Sequence, residues 1–404
     1  MTIDKFNTHL DSILDYYSYL KNQTGKKNSV FKDLILGFFI KLINKTFPII
    51  LQPFIKKNQS DILVIMTCEQ HYTLTKHIWI ELEKKYRINY VIENKKSLIK
   101  SIFYMPSTCN IPSLLRPFDT FSKLIEYKYK PKLICIFTHY NLLPNFIKIN
   151  SSSKTIYIPH AIIDSSYLYS NFNFDYYFVF GKSSEINIKN NRDKFGKSKI
   201  VKVGSTMIKN IYSEDKPEPN NKIIYFSTYT VGSEEFITRD FNLMISWFKS
   251  NPGYKLYIKL HPLEKSDYVK SKTKNINNIK VYDKNIDLES SIDDISLVIT
   301  NYSVASVEAA LRLKPILVIN SRLKDKDSDD FRDSDNYLYL EDFFLDRCLN
   351  LDDISNGINQ IYDNYDYFIE QSKLYAEFHL HNKFNSADVI VKSIEDIFNE
   401  KFKV

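Results

Sequence analysis

The sequence predicts an α/β protein of two doubly wound, Rossmann-like domains facing a central cleft, with a helical N-terminal extension. Three observations predict it. Short runs rich in Ile, Val, Leu, Tyr and Phe alternate with segments of helical periodicity, the pattern of strands joined by helical crossovers. Those runs end abruptly in His, Ser or Thr, as expected where the carboxyl ends of parallel strands form a polar rim. The stretch SEDKPEPNNK (213–222) holds two prolines and no apolar residue, and it splits the alternation into two series. At 404 residues the chain is long enough for a core in each half.

Residues 1–58 stand apart as an amphipathic helical segment. Phe31–Lys57 is strongly apolar but is interrupted by Lys41, Asn44, Lys45, Pro48 and Pro53. No run approaches the ~20 apolar residues that a membrane-spanning helix needs. Asp33, Gly37, Lys41 and Asn44 recur at helical spacing as a narrow polar stripe, and Phe38, Phe39, Ile40, Leu42 and Ile43 cover the remainder. Such a helix either lies in the headgroup region of an anionic membrane, giving peripheral contact through 30–57, or packs on the first domain. Both readings stay open. The polar start TIDKFNTH predicts no secretory signal.

The first series, 59–212, begins with DILVIMT (61–67) and a helical segment from Thr73 to Lys84. It continues through YRINYVIE, LICIF (133–137), TIYIP (155–159) and YFVF (177–180) to KIVKV (199–203). After the 213–222 linker, the second domain spans 223–375. It has KIIYFS, a helix around Phe241–Lys249, then KLYIK, IKVY, SLVIT and ILVIN, and residues 376–404 read as C-terminal helices.

Composition narrows the function. Only 8 glycines are present, with no G-x-G-x-x-G and no P-loop, so any phosphate must be held by helix N-termini, hydroxyls and cations. The net charge of +7 favours anionic ligands or a membrane surface, but no nucleic-acid motif accompanies it, so no nucleic-acid partner is expected. Cys68, Cys109, Cys135 and Cys348 lack metal or disulfide spacing, which fits a reducing cytoplasm. No metal is expected. The acidic run 324–330 reads as a solvated loop, and His379 with His381 lacks a third ligand.

Four of the eight histidines (His71, His139, His160 and His261) fall at strand ends, as an active-site rim requires. An imidazole at His160 can accept a proton near neutrality, although a lone histidine is more often packed. Lys259 and His261 alternate by two and so share a side, where two cations suit a diphosphate leaving group. SLVIT meets Asn301-Tyr302-Ser303 and a helix predicted from Ser303 to Leu313, with Ser303 as its cap and Ser306 in its first turn. Such a helix start holds anions, and Glu308 further in suits a ligand hydroxyl. Ser227, Thr228, Gly204 and Ser205 add polar groups at two more strand ends, or are turn chemistry.

Together these segments resemble the CDP-glycerol glycerophosphotransferase family, which polymerises wall teichoic acids and related capsules. The resemblance covers about residues 150–320, with the motifs in the family's order. Ile158-Pro159-His160-Ala161 is similar to the strand ending in the family's His-Gly, and Val203-Gly204-Ser205-Thr206 to its Gly-Ser-Pro. Tyr225-Phe226-Ser227-Thr228-Tyr229 resembles its Ala-Pro-Thr-Trp turn, and Lys259-Leu260-His261-Pro262 its Lys-x-His-Pro. Asn301-Tyr302-Ser303-Val304 through Lys314-Pro315 resembles its Asp-Tyr-Ser-Ser…Lys-Pro block.

The resemblance implies a GT-B fold, no essential metal or other cofactor, and a nucleotide-activated donor. It also implies a glycan or lipid-linked acceptor at the inner face of the cell membrane. His160 would be the base or acceptor-side catalyst, His261 would sit at the donor diphosphate, and Ser303 with its helix would hold donor phosphate. Ala161 stands in place of Gly, no Trp precedes His160, and Asn301 stands in place of Asp. Those departures leave the donor open. The His-Pro and hydroxyl motifs also look like bacterial polysialyltransferases that use CMP-sialic acid. The block carrying Glu308 is similar to UDP-GlcNAc 2-epimerases, without their glycines.

Overall fold

The computed structural model describes residues 3–24, 40, 42–44, 47–108, 111–164, 167–191, 194–206, 216–227, 234–261, 266–282, 286, 291–301, 303–319, 338–344 and 350–400. The chain forms two compact units, Met1–Lys209 with Asn385–Val404, and Asn210–Phe384.

Unit 1 is built on six parallel strands: β1 (Ile62–Met66), β2 (Ile88–Ile92), β3 (Leu133–Ile136), β4 (Lys154–Tyr157), β5 (Tyr176–Val179) and β6 (Lys199–Lys202). Their order is β2-β1-β3-β4-β5-β6. Every residue of β1 and β3 is buried, because helices cover both faces of the sheet. On one face Ile62, Val64, Cys135 and Ile156 pack with Trp79 of α2 (Glu69–Glu83). The alternate residues Leu63, Ile65, Ile134 and Tyr157 pack on the other face, with Phe121 of α4 (Arg116–Tyr129) and Leu143 of α5 (Leu143–Asn150). Helix α3 (Lys95–Tyr104) follows β2, and α6 (Lys182–Asn190) lies between β5 and β6.

Two distant segments complete unit 1. Helix α1 (Ile3–Thr24) sets Leu10, Ile13 and Tyr16 against Leu142 and Phe146. At the other end of the chain, α12 (Ser386–Phe398) inserts Ile390, Ile394 and Ile397 into the core shared with Trp79.

Unit 2 has five parallel strands: β7 (Lys222–Phe226), β8 (Lys255–Lys259), β9 (Ile279–Val281), β10 (Leu297–Thr300) and β11 (Ile316–Val318). They run in the order β11-β10-β7-β8-β9. Ile223, Tyr225, Leu256, Ile258, Leu297 and Ile299 pack with Met244 and Phe248 of α7 (Glu234–Ser250) and with Ile354, Ile358 and Ile361 of α10 (Leu351–Asp363). Helices α8 (Ser266–Thr273), α9 (Ala305–Leu311) and α11 (Tyr365–His379) complete the layers.

In each sheet the crossovers change direction once, between β1 and β3 and between β7 and β10. A crevice outside the carboxyl ends opens at such a switch point. Thr67 and Phe137 follow the first pair, and Ser227 and Asn301 the second.

The helix after Asn301 differs from expectation. It spans Ala305–Leu311 rather than 303–313. Its first turn is tight, with the Ser306 N–H on the Ser303 carbonyl at 2.9 Å, and Leu313 is already left-handed at φ 58°. Thr228 and the acidic run 324–330 lie outside the described residues, as does most of 25–46. No helix among the described residues is long and apolar enough to cross a membrane.

Candidate active site

The rim of unit 1 gathers three imidazoles. Past β4, Ile158 and Pro159 carry the chain to His160, and the Pro159 carbonyl accepts the Thr206 hydroxyl at 2.6 Å. Thr206 reaches that position because Gly204 turns the chain at φ 89°, a conformation glycine adopts without a Cβ clash. The Gly204 N–H donates to the Phe180 carbonyl at 3.1 Å, and the Ser205 N–H donates to Ser386 Oγ at 3.2 Å. Gly204-Ser205-Thr206 thus braces the strand end that presents His160.

The His160 ring lies 4.8 Å from that of His71, tilted by 30°. His71 occupies the first turn of α2, stacks on Phe137 at 5.0 Å, and has Nδ1 3.4 Å from the Thr67 hydroxyl. Burial, with a smaller push from His71, lowers His160 to about 4, and burial also lowers His71. At neutral pH His160 is therefore uncharged, and its buried Nδ1 has no hydrogen-bond partner among the described residues. His139 is stacked 4.1 Å over Tyr169. Burial and then His160 hold its imidazole well below the usual histidine range. The Phe137 carbonyl opposes this without reaching hydrogen-bonding geometry to either ring nitrogen.

Glu93 joins this rim one residue past β2. Its Oε1 accepts a hydrogen bond from Asn141 Nδ2 in the loop after β3. Burial pushes its carboxyl up to about 7, against hydrogen-bonding influences from Thr138 and Asn141. Glu93 was not among the residues selected from sequence. The signal available was a glutamate directly ending the strand-like run YRINYVIE, at the same carboxyl-end rim to which Ile158 and Pro159 carry His160.

The rim of unit 2 is organised by one side chain. Ser227 Oγ accepts the His261 N–H at 2.8 Å, and the Ser227 N–H donates to the Lys259 carbonyl at 3.1 Å. Lys259 and His261 are half-buried with buried Leu260 between them, as expected for residues sharing one side of an extended chain. Burial, and then the Lys259 charge, lower His261. Two basic groups close enough to oppose each other's protonation form a place where an anion is favoured.

Across the switch point, Asn301 Oδ1 accepts the Tyr225 hydroxyl at 2.6 Å and its Nδ2 donates to Asp240. The Ser303 hydroxyl accepts the Ala305 N–H at 3.3 Å, an N-terminal capping bond although the helix is assigned from Ala305. Ser306 is buried with its hydroxyl 3.1 Å from the Tyr375 hydroxyl, and Glu308 is half-buried in the first turn of α9. The structure thus brings Ser227, Lys259 and His261 together and sets Asn301 and Ser303 beyond them. It groups Gly204 and Ser205 with His160 in unit 1, whereas the other residues expected at the donor belong to unit 2. His379 is a core residue of unit 2, with Nε2 2.9 Å from the Leu338 carbonyl.

No protein-family profile matches this chain, and no curated protein matches it by sequence. Solved structures do match. A protein from Listeria monocytogenes described as a UDP-N-acetylglucosamine 2-epimerase is similar at TM-score 0.57 and 14% identity, over 86% of this chain and all of that one. The wall teichoic acid polymerase TagF, in a structure with CDPG, is similar at TM-score 0.53 and 13% identity, over 93% of this chain and 98% of that one. The UDP-GlcNAc 2-epimerase of Neisseria meningitidis, bound to UDP-GlcNAc, is similar at TM-score 0.52 and 12% identity, over 83% and 99%. With its two parallel-sheet α/β units, this chain therefore has a GT-B-type fold.

Proposed function

We propose that this protein is a transferase. It moves a glycosyl or glycerol-phosphate-type group from a nucleotide-activated donor, of the CDP or CMP class, to a hydroxyl acceptor in bacterial surface-polysaccharide synthesis. The observation that carries this reading is the Ser227–Lys259–His261 cluster at the switch point of unit 2. A lysine cation and an imidazole that an arriving anion helps to protonate, fixed beside a hydroxyl at strand ends, stabilise the charge that develops on a departing phosphate. Ser303 supports the same anion, and Asn301 and Ser306 hold the loop and helix that present it. Thr228 and Glu308 belong to this donor set on their sequence positions.

In unit 1, neutral His160 accepts the proton of the acceptor hydroxyl. The oxygen bonds to the transferred group as that group's bond to the nucleotide phosphate breaks, and the electron pair leaves on the phosphate. Gly204 and Ser205 act by bracing His160. The reading needs no metal.

A second reading, an epimerase acting on a UDP-sugar, is favoured by the half-buried Glu308 one turn past the switch point. Incubation with CDP-glycerol, CMP-sialic acid and UDP-GlcNAc, with and without glycan acceptors, separates the two. A transferase consumes a CDP- or CMP-linked donor only when acceptor is present. An epimerase converts the UDP-sugar alone.

The reading also places the protein at the inner membrane face through 30–57. Support comes from exposed Leu42, Phe47, Ile49, Ile50 and Phe54 beside exposed Lys56 and Lys57.

A further inference from the structure

Glu93 is 6% exposed, yet among the described residues only one of its carboxyl oxygens finds a partner. Its main chain is pinned to the neighbouring strand, with the N–H on the Met66 carbonyl at 2.7 Å. Its partner Asn141 is held just as firmly. Asn141 Oδ1 accepts the Leu143 N–H at 2.9 Å, opening α5, and its carbonyl accepts Asn171 Nδ2 at 2.9 Å. Asn171 is itself bonded to Asn145 Oδ1 at 2.9 Å. Glu93 follows β2 and Asn141 follows β3, with β1 between them. The Glu93–Asn141 bond therefore spans the carboxyl end of β1, beside the switch point.

Among the described residues, neither the buried second oxygen, Oε2, nor the Thr138 hydroxyl has a hydrogen-bond partner. Thr138 lies near enough to favour the ionised carboxyl but not at bonding geometry. A buried carboxyl with a bare oxygen costs a few kcal/mol unless something supplies a donor. Among the described residues, none of the groups that shift it is a cation. A structural carboxylate is normally paired; this one is aligned on one side and left open on the other.

We propose that Glu93 is a ligand-binding carboxyl of the unit 1 rim, positioned by Asn141, and that it receives a hydroxyl group of the acceptor. The ligand's identity as an acceptor rests on the transferase reading. A hydroxyl fits because it both donates and accepts, and Glu93 near its midpoint at neutral pH presents both carboxylate and acid. The groups facing Glu93 are Thr138 and Asn141, with Tyr140 as the titratable neighbour. The Tyr140 phenol is raised by burial and then by the Glu93 charge, so it stays protonated in this range.

The test uses the full chain, a saturating donor and two acceptor probes, glycerol and methyl N-acetylglucosaminide, with nucleotide release as the readout. Glu93→Gln is expected to raise the half-saturating probe concentration at least tenfold, while donor affinity measured by calorimetry stays within twofold. In the wild type, probe affinity weakens as pH falls through about 7, because protonation removes the better acceptor; in Glu93→Gln that slope disappears. Asn141→Asp keeps an acceptor for the Leu143 N–H but sets a second carboxylate against Glu93, so the midpoint moves to higher pH. It serves as the readout if Glu93→Gln does not fold. If the variants match the wild type in both respects, Oε2 holds only water and the inference falls while the transferase reading stands. If the wild type binds nucleotide but neither probe stimulates its release, the transferase reading falls and takes the acceptor site with it.

Discussion

The hydroxyl of Ser227 accepts the main-chain N–H of His261 at 2.8 Å, so one side chain ties the carboxyl ends of β7 and β8 together. Ser227→Ala removes that bond, whose net worth is about 1 kcal/mol. Denaturant unfolding should show a loss of that size, and nucleotide affinity by calorimetry should fall about tenfold, equivalent to ~1.4 kcal/mol.

Lys259 holds the His261 imidazole down, second to burial. Lys259→Gln should therefore raise the His261 pKa without restoring it to that of a free histidine. A two-dimensional NMR titration of the imidazole reads this directly. A fall, or no change, would show that the two side chains do not share a side.

Asn301 lies between the Tyr225 hydroxyl and Asp240, and its uncharged amide accepts from one and donates to the other. Asn301→Asp converts the second contact into a meeting of two carboxylates. It should destabilise unit 2 by about 1–3 kcal/mol, the range for a buried polar group left unsatisfied. Asp240→Asn in the same chain should restore most of the loss, and a thermal-melting double-mutant cycle measures the coupling.

Acid should act on unit 2 through His379, which burial lowers to about 3 against a hydrogen bond to Leu338 that opposes the shift. A depressed histidine binds fewer protons folded than unfolded, so its stabilisation is complete above about 6.5. It is lost as pH falls toward about 3, by at most ~1.4 kcal/mol per pH unit. His379→Gln should flatten that part of the stability–pH curve, which urea midpoints across pH 3–7 would reveal.

The exposed side chains of Ile49 and Phe54, 79% and 78% accessible, predict sedimentation with vesicles of anionic lipid and not with neutral ones. Replacing both by Ser should abolish sedimentation while leaving nucleotide affinity intact. Equal binding of the double variant would remove the membrane reading of this segment.

The strands among the described residues were legible because β-branched and aromatic runs stand out in the sequence, most continuously in β1, β3, β10 and β11, which are buried throughout. The destination of α12 was not. Ile390, Ile394 and Ile397 mark an apolar stripe, but nothing local says that it returns to the sheet containing Ile62. The strand-end placement of His160 and His261 was legible, because each directly follows an apolar run in the sequence. Arrangements that depend on a distant partner were not. The brace from Thr206 to Pro159 needs the strand order β4-β5-β6, and the burial of Glu93 needs Asn141 from another loop. The helix after Asn301 begins later than the serine pattern predicts, because the chain enters it through a tight turn with the Ser306 N–H on the Ser303 carbonyl.

The most direct test of the central claim is nucleotide release from CDP-glycerol and CMP-sialic acid by the wild type, His160→Ala and His261→Ala, with and without glycan acceptor. The account predicts acceptor-dependent release by the wild type. It also predicts a loss of about 10²–10⁴-fold in His160→Ala, the usual contribution of a general base, with a weaker donor affinity in His261→Ala. Full activity in both folded variants, or conversion of UDP-GlcNAc without any acceptor, would contradict it.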